Sequence, residues 1–372
     1  MRRLLVVVLL ALAFTGAAHA AVPNPEARAF YVVNAANGEV LASRSAHARV
    51  PIASITKLMT VLVALDHLKL GGVVTVSGAA AQVGGSRIPL HRGQRVSVRD
   101  LLAGALIQSA NNAADELAFA ASGGDVPRFV AWMNARAHKL GLRDTHFARP
   151  DGLDAPGHVS SARDVAVLAQ IAMHSSVVRD LVREPSYSIE GGSFVAHTWN
   201  DLLGVFPGLI GVKTGHTADA GWCQVAAARR RGFTIYAVIL GSPSRGQRNV
   251  DLNRLLAWGV SQYRTLTLVA RQPYAWAAAP YGLHSVPLVV RKPLVRVVRV
   301  GRPIVDRIVT PTAVSLPVAR GERLGRVEVW AGKTLLGTRP LLAARAVPRP
   351  GLGGRLRWYG TRTVHHLAGI LS

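Results

Sequence analysis

Lys57 stands inside a run that is apolar on nearly every side: Pro51-Ile52-Ala53, then Ser54-Ile55-Thr56-Lys57-Leu58-Met59-Thr60-Val61-Leu62-Val63-Ala64-Leu65. A helix without a polar face has to be buried. The segment therefore predicts a core helix that carries an amine into the interior, where an ammonium is costly and its pKa falls. Ser54 precedes Lys57 by three residues, on the same helical face. It also lies near the helix start, where unpaired N–H groups and the dipole favour negative charge. A serine hydroxyl is a weak nucleophile until a neighbouring base takes its proton. A desolvated lysine is such a base, and an arginine is not. Only six lysines occur among 44 Lys and Arg residues, and two of the six, Lys57 and Lys213, fall in motifs of this kind.

Two further motifs follow in order. Ser109-Ala110-Asn111 sits in Leu101–Leu117, read as a helix into Gln108, a break at Ser109 and a second helix from about Asn111. It offers a hydroxyl and an amide, although both residues also suit plain helix caps. Lys213-Thr214-Gly215 follows the strand-like run Gly208-Leu209-Ile210-Gly211-Val212. It predicts an edge strand beside the nucleophile, where an extended peptide can add as a further strand and Gly215 lets its backbone come close. Lys213 is also the cation that would help depress Lys57. Nucleophile, base and donors for developing charge together suffice for acyl transfer.

The three motifs in this order, 55 and then 104 residues apart, resemble the serine penicillin-recognising superfamily. Further stretches are similar to its low-molecular-mass D-alanyl-D-alanine carboxypeptidases of the peptidase S11 type: Ala29–Asn34 with Asn37–Ala42, Leu140–Phe147, Asp151–Asp154, Ser160–Asp164 and Gly211–Thr217. The resemblance covers residues 25 to 350. It implies an α/β (α+β) fold: a penicillin-binding-protein/β-lactamase-like catalytic domain, with an antiparallel sheet flanked by helices, followed by a small all-β sandwich.

The resemblance implies Ser54 as the acylated nucleophile, Lys57 as its base and Ser109 as the proton relay to the leaving amine. Asn111 would hold Lys57 and the substrate amide, and Lys213 would contribute positive potential. Thr214 and Arg248 would meet the terminal carboxylate, with Arg245 close by as a competing arginine. Gly215 and His216 would complete the substrate strand, and the backbone N–H groups of Ser54 and His216 the oxyanion hole. The implied substrates are peptidoglycan stem peptides losing their terminal D-alanine, with β-lactams as acylating inhibitors. No metal and no organic cofactor is implied. One departure is Asn112, where many relatives carry aspartate.

The same residues also suit a D,D-endopeptidase cutting cross-links, or a non-hydrolysing wall-binding or β-lactam-sensing protein. A β-lactamase fits less well, because Glu116, Glu184 and Glu190 are the only glutamates between Asn111 and Lys213 and none stands in a Glu-x-x-Leu-Asn loop.

Met1-Arg2-Arg3, the apolar run Leu4 to Phe14 and Ala18-His19-Ala20 read as a signal peptide, residues 1–20. That predicts an exported, periplasmic or extracytoplasmic protein, peripheral on the outer face of the cytoplasmic membrane. The catalytic domain is expected over 21–266 and the β-sandwich over 267–348. A linker and an amphipathic helix take 349–372. In 355–372, Leu356, Tyr359, Val364, Leu367, Ile370 and Leu371 fall within an arc of about 140°, with arginines and histidines outside it. Such a helix suits an anionic membrane surface. The formal net charge of +24 points to an anionic partner. Export and sparse aromatics speak for lipid or acidic wall polymers and against nucleic acid. The lone Cys223 permits no internal disulfide and suits a buried strand.

Overall fold

The computed structural model describes residues 5–12, 21–230 and 232–371. They divide into two compact units, Ala20–Ser261 and a second made of Gln262–Ser372 with the N-terminal segment.

In the first unit β1 (Ala29–Asn34) and β2 (Glu39–Arg44) form a hairpin. Asn34 and Asn37 close it by accepting the N–H groups of Ala36 and Glu39 on their side chains. The sheet is completed by β3 (Leu209–Thr217), β4 (Gly221–Arg230) and β5 (Phe233–Ser242), all antiparallel in the order β2-β1-β5-β4-β3. β3, which carries Lys213-Thr214-Gly215, is therefore an edge. β4 and β5 are buried almost continuously, Cys223 included, rather than in alternation. Strands buried on both faces need cover on both, and helices pack on β5: α5 (Ala162–Ala172) and α6 (Arg245–Ser261).

The other half of this unit is helical. A single 3-10 turn, Ala53–Thr56, leads into α1 (Lys57–His67), whose residues from Lys57 to Ala64 are all buried. Its neighbours are α2 (Val98–Leu106), α3 (Asn111–Ser122), α4 (Val126–Lys139) and α5. Ser97, Asp125 and Ser161 cap α2, α4 and α5 through their side chains, each cap being worth about 1 kcal/mol. The start of α3 is different. Its N-cap is Ala110, with no side-chain cap, so Ser109 and Asn111 are not spent as capping residues and their polar atoms are used elsewhere.

In the second unit a six-stranded antiparallel sheet runs in the order Leu5–Leu12, Ile304–Pro311, Arg323–Ala331, Thr334–Ala343, Val286–Val289, Pro273–Ala277. A two-stranded sheet pairs Tyr263–Val269 with Leu294–Arg299. One apolar cluster, with Val269, Leu288, Leu294, Val327, Val329 and Leu341, fills this unit. The tight turn Gly332-Lys333 joins two strands paired up to Ala331 and Thr334, with Gly332 in the left-handed region that such turns use.

Three details differ from the sequence expectation. The chain enters the second unit after Ser261, not at 266/267, because the intervening residues belong to the strand Tyr263–Val269. Part of the predicted signal segment, Leu5–Leu12, is a strand along Ile304–Pro311 in the intact chain. The basic start Met1-Arg2-Arg3 and the cleavage motif Ala18-His19-Ala20 lie outside the described residues. Finally, Gly353 and Gly354, expected in a linker, are helical, since α7 (Leu352–Leu371) begins three residues early. Trp358 of α7 packs edge-on against Tyr281 at 5.6 Å, with Arg362 over its ring.

Candidate active site

The all-round burial of α1 takes Lys57 out of water entirely, at 0% exposure. Its Nζ lies 2.7 Å from Ser54 Oγ, 2.7 Å from Asn111 Oδ1 and 2.6 Å from the backbone carbonyl of Asp151. Desolvation lowers its pKa to about 7, opposed by the charges of Asp151 and Asp115 and assisted by Arg149. A neutral amine at this place accepts the Ser54 hydroxyl proton while still donating to Asn111 and Asp151.

The second and third motifs meet in the same way. Lys213 Nζ donates to Ser109 Oγ at 2.8 Å and to the Thr214 carbonyl at 2.9 Å. Burial pushes the Lys213 pKa well down, and the charges of Lys57 and Arg248 push it further. The expectation that Lys213 is a standing positive charge is thus modified: two buried amines in one site disfavour each other's charge. Ser109 holds a left-handed backbone, φ 62°, which is costly for a residue with a side chain and recurs at functional sites. Ala53, beside Ser54, does the same at φ 50°.

Close backbone approach fixes Ser54. A Cβ on Gly215 would stand 2.8 Å from the Ile52 carbonyl oxygen and 3.0 Å from Ser54 N. Edge strand β3 can therefore lie against the nucleophile turn only with glycine there. On the other side, a Cβ on Gly152 would meet the Ala53 carbonyl oxygen at 2.3 Å. The segment carrying Gly152 is braced by Arg149, whose guanidinium holds the buried Asp151 carboxylate at 2.5 and 2.6 Å. His158 ties it to the catalytic turn. Its Nδ1 accepts the Ala148 N–H at 3.0 Å, so Nε2 carries the hydrogen donated to Thr56 Oγ1 at 2.8 Å. The bond accepted at Nδ1 needs a neutral ring, and burial lowers the His158 pKa to about 4.

The side chains open on a cleft of about 480 Å³ whose lining includes Ser54, Ser109, Asn111, Thr214, Gly215 and His216. His216 stacks on Trp222 with centroids 4.0 Å apart. Arg248 also lines the cleft. Its Nη2 donates to Asp201 Oδ2 at 2.9 Å and to Asn249 Oδ1 at 2.6 Å, and desolvation lowers its pKa to about 10. Arg245 binds the same Asp201 but does not line the cleft, which separates the two arginines.

All nine residues singled out in the sequence thus meet at one place. Several of their partners carry no sequence signal. The Asp151 carbonyl acts through the backbone, and Asp201 and Trp199 belong to no motif. Trp199, whose Nε1 donates to the Gln108 carbonyl at 3.0 Å, forms part of the cleft wall. Asp115, one helical turn beyond Asn111, also lies outside every motif. Desolvation raises its carboxyl pKa to about 7.

Comparison with known proteins identifies the family. Residues 16–244 match the family model Peptidase_S11, D-alanyl-D-alanine carboxypeptidase. The D-alanyl-D-alanine carboxypeptidase DacF of Bacillus subtilis is 30% identical over 88% of this chain and 87% of its own length. Penicillin binding protein 5 of Haemophilus influenzae is 26% identical, with a TM-score of 0.65 over 89% of this chain and all of that one. Penicillin-Binding Protein D2 of Listeria monocytogenes, solved in its ampicillin-bound form, is 30% identical, with a TM-score of 0.58 over 64% of this chain and all of that one. From its motifs, its fold and these relatives, the chain belongs to the Peptidase S11 family of D-alanyl-D-alanine carboxypeptidases.

Proposed function

We propose that this protein is a serine D,D-carboxypeptidase that releases the terminal D-alanine of peptidoglycan stem peptides. The observation that carries this reading is the Ser54–Lys57 pair: a hydroxyl 2.7 Å from an amine whose complete burial brings its pKa to about 7. Neutral Lys57 takes the Ser54 proton as Oγ attacks the penultimate carbonyl carbon. The backbone N–H groups of Ser54 and His216 receive the oxyanion. On collapse the C–N bond breaks, and the proton passes through Ser109 to the departing amine. Water, deprotonated by Lys57, then cleaves the Ser54 ester and restores the hydroxyl.

Asn111 is part of this machinery. Its Oδ1 fixes Lys57, while one Nδ2 hydrogen goes to the Gly84 carbonyl and the other is left for the substrate amide. Thr214 and Arg248 take the terminal carboxylate, a group that Arg binds through its planar fork. An incoming carboxylate also restores charge to Lys213, because an opposite charge nearby favours the ammonium. β-Lactams acylate the same Ser54. The test is release of free D-alanine from a stem pentapeptide ending in D-Ala-D-Ala. Wild type should release it and Ser54→Ala should not. Release by both would overturn the nucleophile assignment. Release only from cross-linked dimers would make the protein an endopeptidase.

The protein acts outside the cytoplasm on this reading, with residues 1–20 as its export signal and α7 on the membrane surface. Leu356, Tyr359 and Val364 on the apolar arc of α7 are 70%, 56% and 65% exposed. Trp358, off that arc, docks on Tyr281, which Tyr359 also meets edge-on at 6.2 Å. Among the described residues no helix is long and apolar enough to cross a membrane, so the contact would be interfacial. Removing residues 355–372 should abolish co-sedimentation with anionic vesicles, and equal pelleting of both forms would contradict the anchor.

A further inference from the structure

Two guanidinium groups and no carboxylate line the catalytic cleft. Arg248 is held by Asp201 and Asn249. The other, Arg87, is exposed and has no hydrogen bond or ion pair among the described residues. It is nevertheless not carried on a loose loop. On one side, the Ser86 carbonyl accepts the Asn111 N–H at 2.7 Å and Ser86 Oγ donates to the Gln108 carbonyl at 2.8 Å. On the other, Asn112 clamps Ile88 twice: Oδ1 accepts its N–H at 3.2 Å and Nδ2 donates to its carbonyl at 2.8 Å. The residues flanking Arg87 are therefore tied to the start of α3, next to the catalytic Asn111.

This gives the departure at position 112 a physical sense. An aspartate there could accept from the Ile88 N–H but has no hydrogen for the Ile88 carbonyl, whereas asparagine makes both bonds. An unpaired cation on a pre-positioned loop, in a cleft without acids, suits an anionic group on the ligand, because little ordering is needed at binding. Thr214 and Arg248 lie on the strand and helix of the sheet side. Arg87 lies on the α3 side and is left for a different part of the substrate.

We propose that Arg87 forms a second anion subsite that takes a carboxylate of the stem peptide on the amino-terminal side of the scissile bond. This rests on the carboxypeptidase reading above. Two sources offer that chemistry: the α-carboxylate of a γ-linked glutamate at the second position, and a side-chain carboxylate at the third. The protein distinguishes stems by these groups.

The test uses the full chain and four stem pentapeptides that differ only in amidation at one, both or neither position. The readout is kcat/KM for D-alanine release, with wild type, Arg87→Gln and Arg87→Lys, after benzylpenicillin labelling has established that Ser54 is reactive in each. Amidating the carboxylate that meets Arg87 should cost the wild type about tenfold, the scale of one charge-assisted hydrogen bond. It should cost Arg87→Gln almost nothing, and Arg87→Lys should keep part of the preference. The position whose amidation matters identifies the source. Equal effects of amidation in wild type and Arg87→Gln, or no effect in wild type, would overturn the subsite. No D-alanine from any peptide, with penicillin labelling intact, would overturn the carboxypeptidase reading and the subsite with it.

Discussion

The two units of this protein bury different things. In Ala20–Ser261 the interior holds Lys57, Lys213, Arg248, Asp151, Asp164, Glu116 and His158. In the second unit the buried polar and charged residues are few: Gln262, Asp306, Thr310 and Glu328. The second unit is stabilised by an apolar cluster between sheets, as any small β domain is. The first accepts the desolvation cost of several charges. Lys57, Lys213 and Arg248 converge on one cleft, with the Asp151 carbonyl behind Lys57, so part of that cost falls where a perturbed pKa is useful. Burial of a charge is thus the mark that separates the chemical half of the molecule from the structural half.

The sharpest way to break that contrast is Lys57→Met, which keeps the volume but removes the proposed base. Penicillin acylation should fall by roughly 10⁴-fold or more, as when one member of a catalytic unit is lost, while the melting temperature stays close to that of the wild type. Unfolding of the variant would mean that Lys57 is structural. Gly215→Ala should come next, costing about 10²-fold in acylation through displacement of β3 from Ser54. Activity equal to wild type would show that the 2.8 Å approach to Ile52 is not needed.

The second unit should respond in the opposite way. Leu341→Ala, in its apolar cluster, should cost about 2–5 kcal/mol in denaturant unfolding and leave the acylation rate of the folded protein unchanged. A parallel loss of acylation rate would contradict the division of labour. A smaller effect concerns His158. Its native pKa of about 4 lies below the unfolded value of about 6.5, so the unfolded chain binds the extra proton between these limits. The stabilisation is therefore complete above pH 6.5 and is lost as pH falls toward 4, amounting to about 3 kcal/mol. Against wild type, His158→Gln should flatten the pH dependence of stability in that window. Identical slopes would mean that the ring is not held neutral.

Much of the site was legible before the structure because its parts are local or motif-borne. The all-apolar α1, the break at Ser109 and the edge strand carrying Gly215 each follow from short-range pattern. The capping interpretation of Ser109 and Asn111 was equally legible and is wrong here, since Ala110 takes the cap position without a side-chain bond. What stayed hidden acts at long range or through the backbone. The Asp151 carbonyl on Lys57, the Asp201 hold on Arg248 and the Asn112 clamp on Ile88 span dozens of residues and have no periodic signature. Gly353 and Gly354 read as linker because local propensity disfavours glycine in a helix, yet they form the first turn of α7.

If burial turns Lys57 into a base, the pH dependence of Ser54 acylation by benzylpenicillin must carry its titration. Only the neutral amine can accept the proton. The second-order rate constant should therefore rise about tenfold per pH unit at low pH, bend at an apparent pKa of about 7 and stay level above it. A profile that is flat from pH 5 to 9, or one that bends only near the ordinary lysine value, would contradict the account and place the base elsewhere.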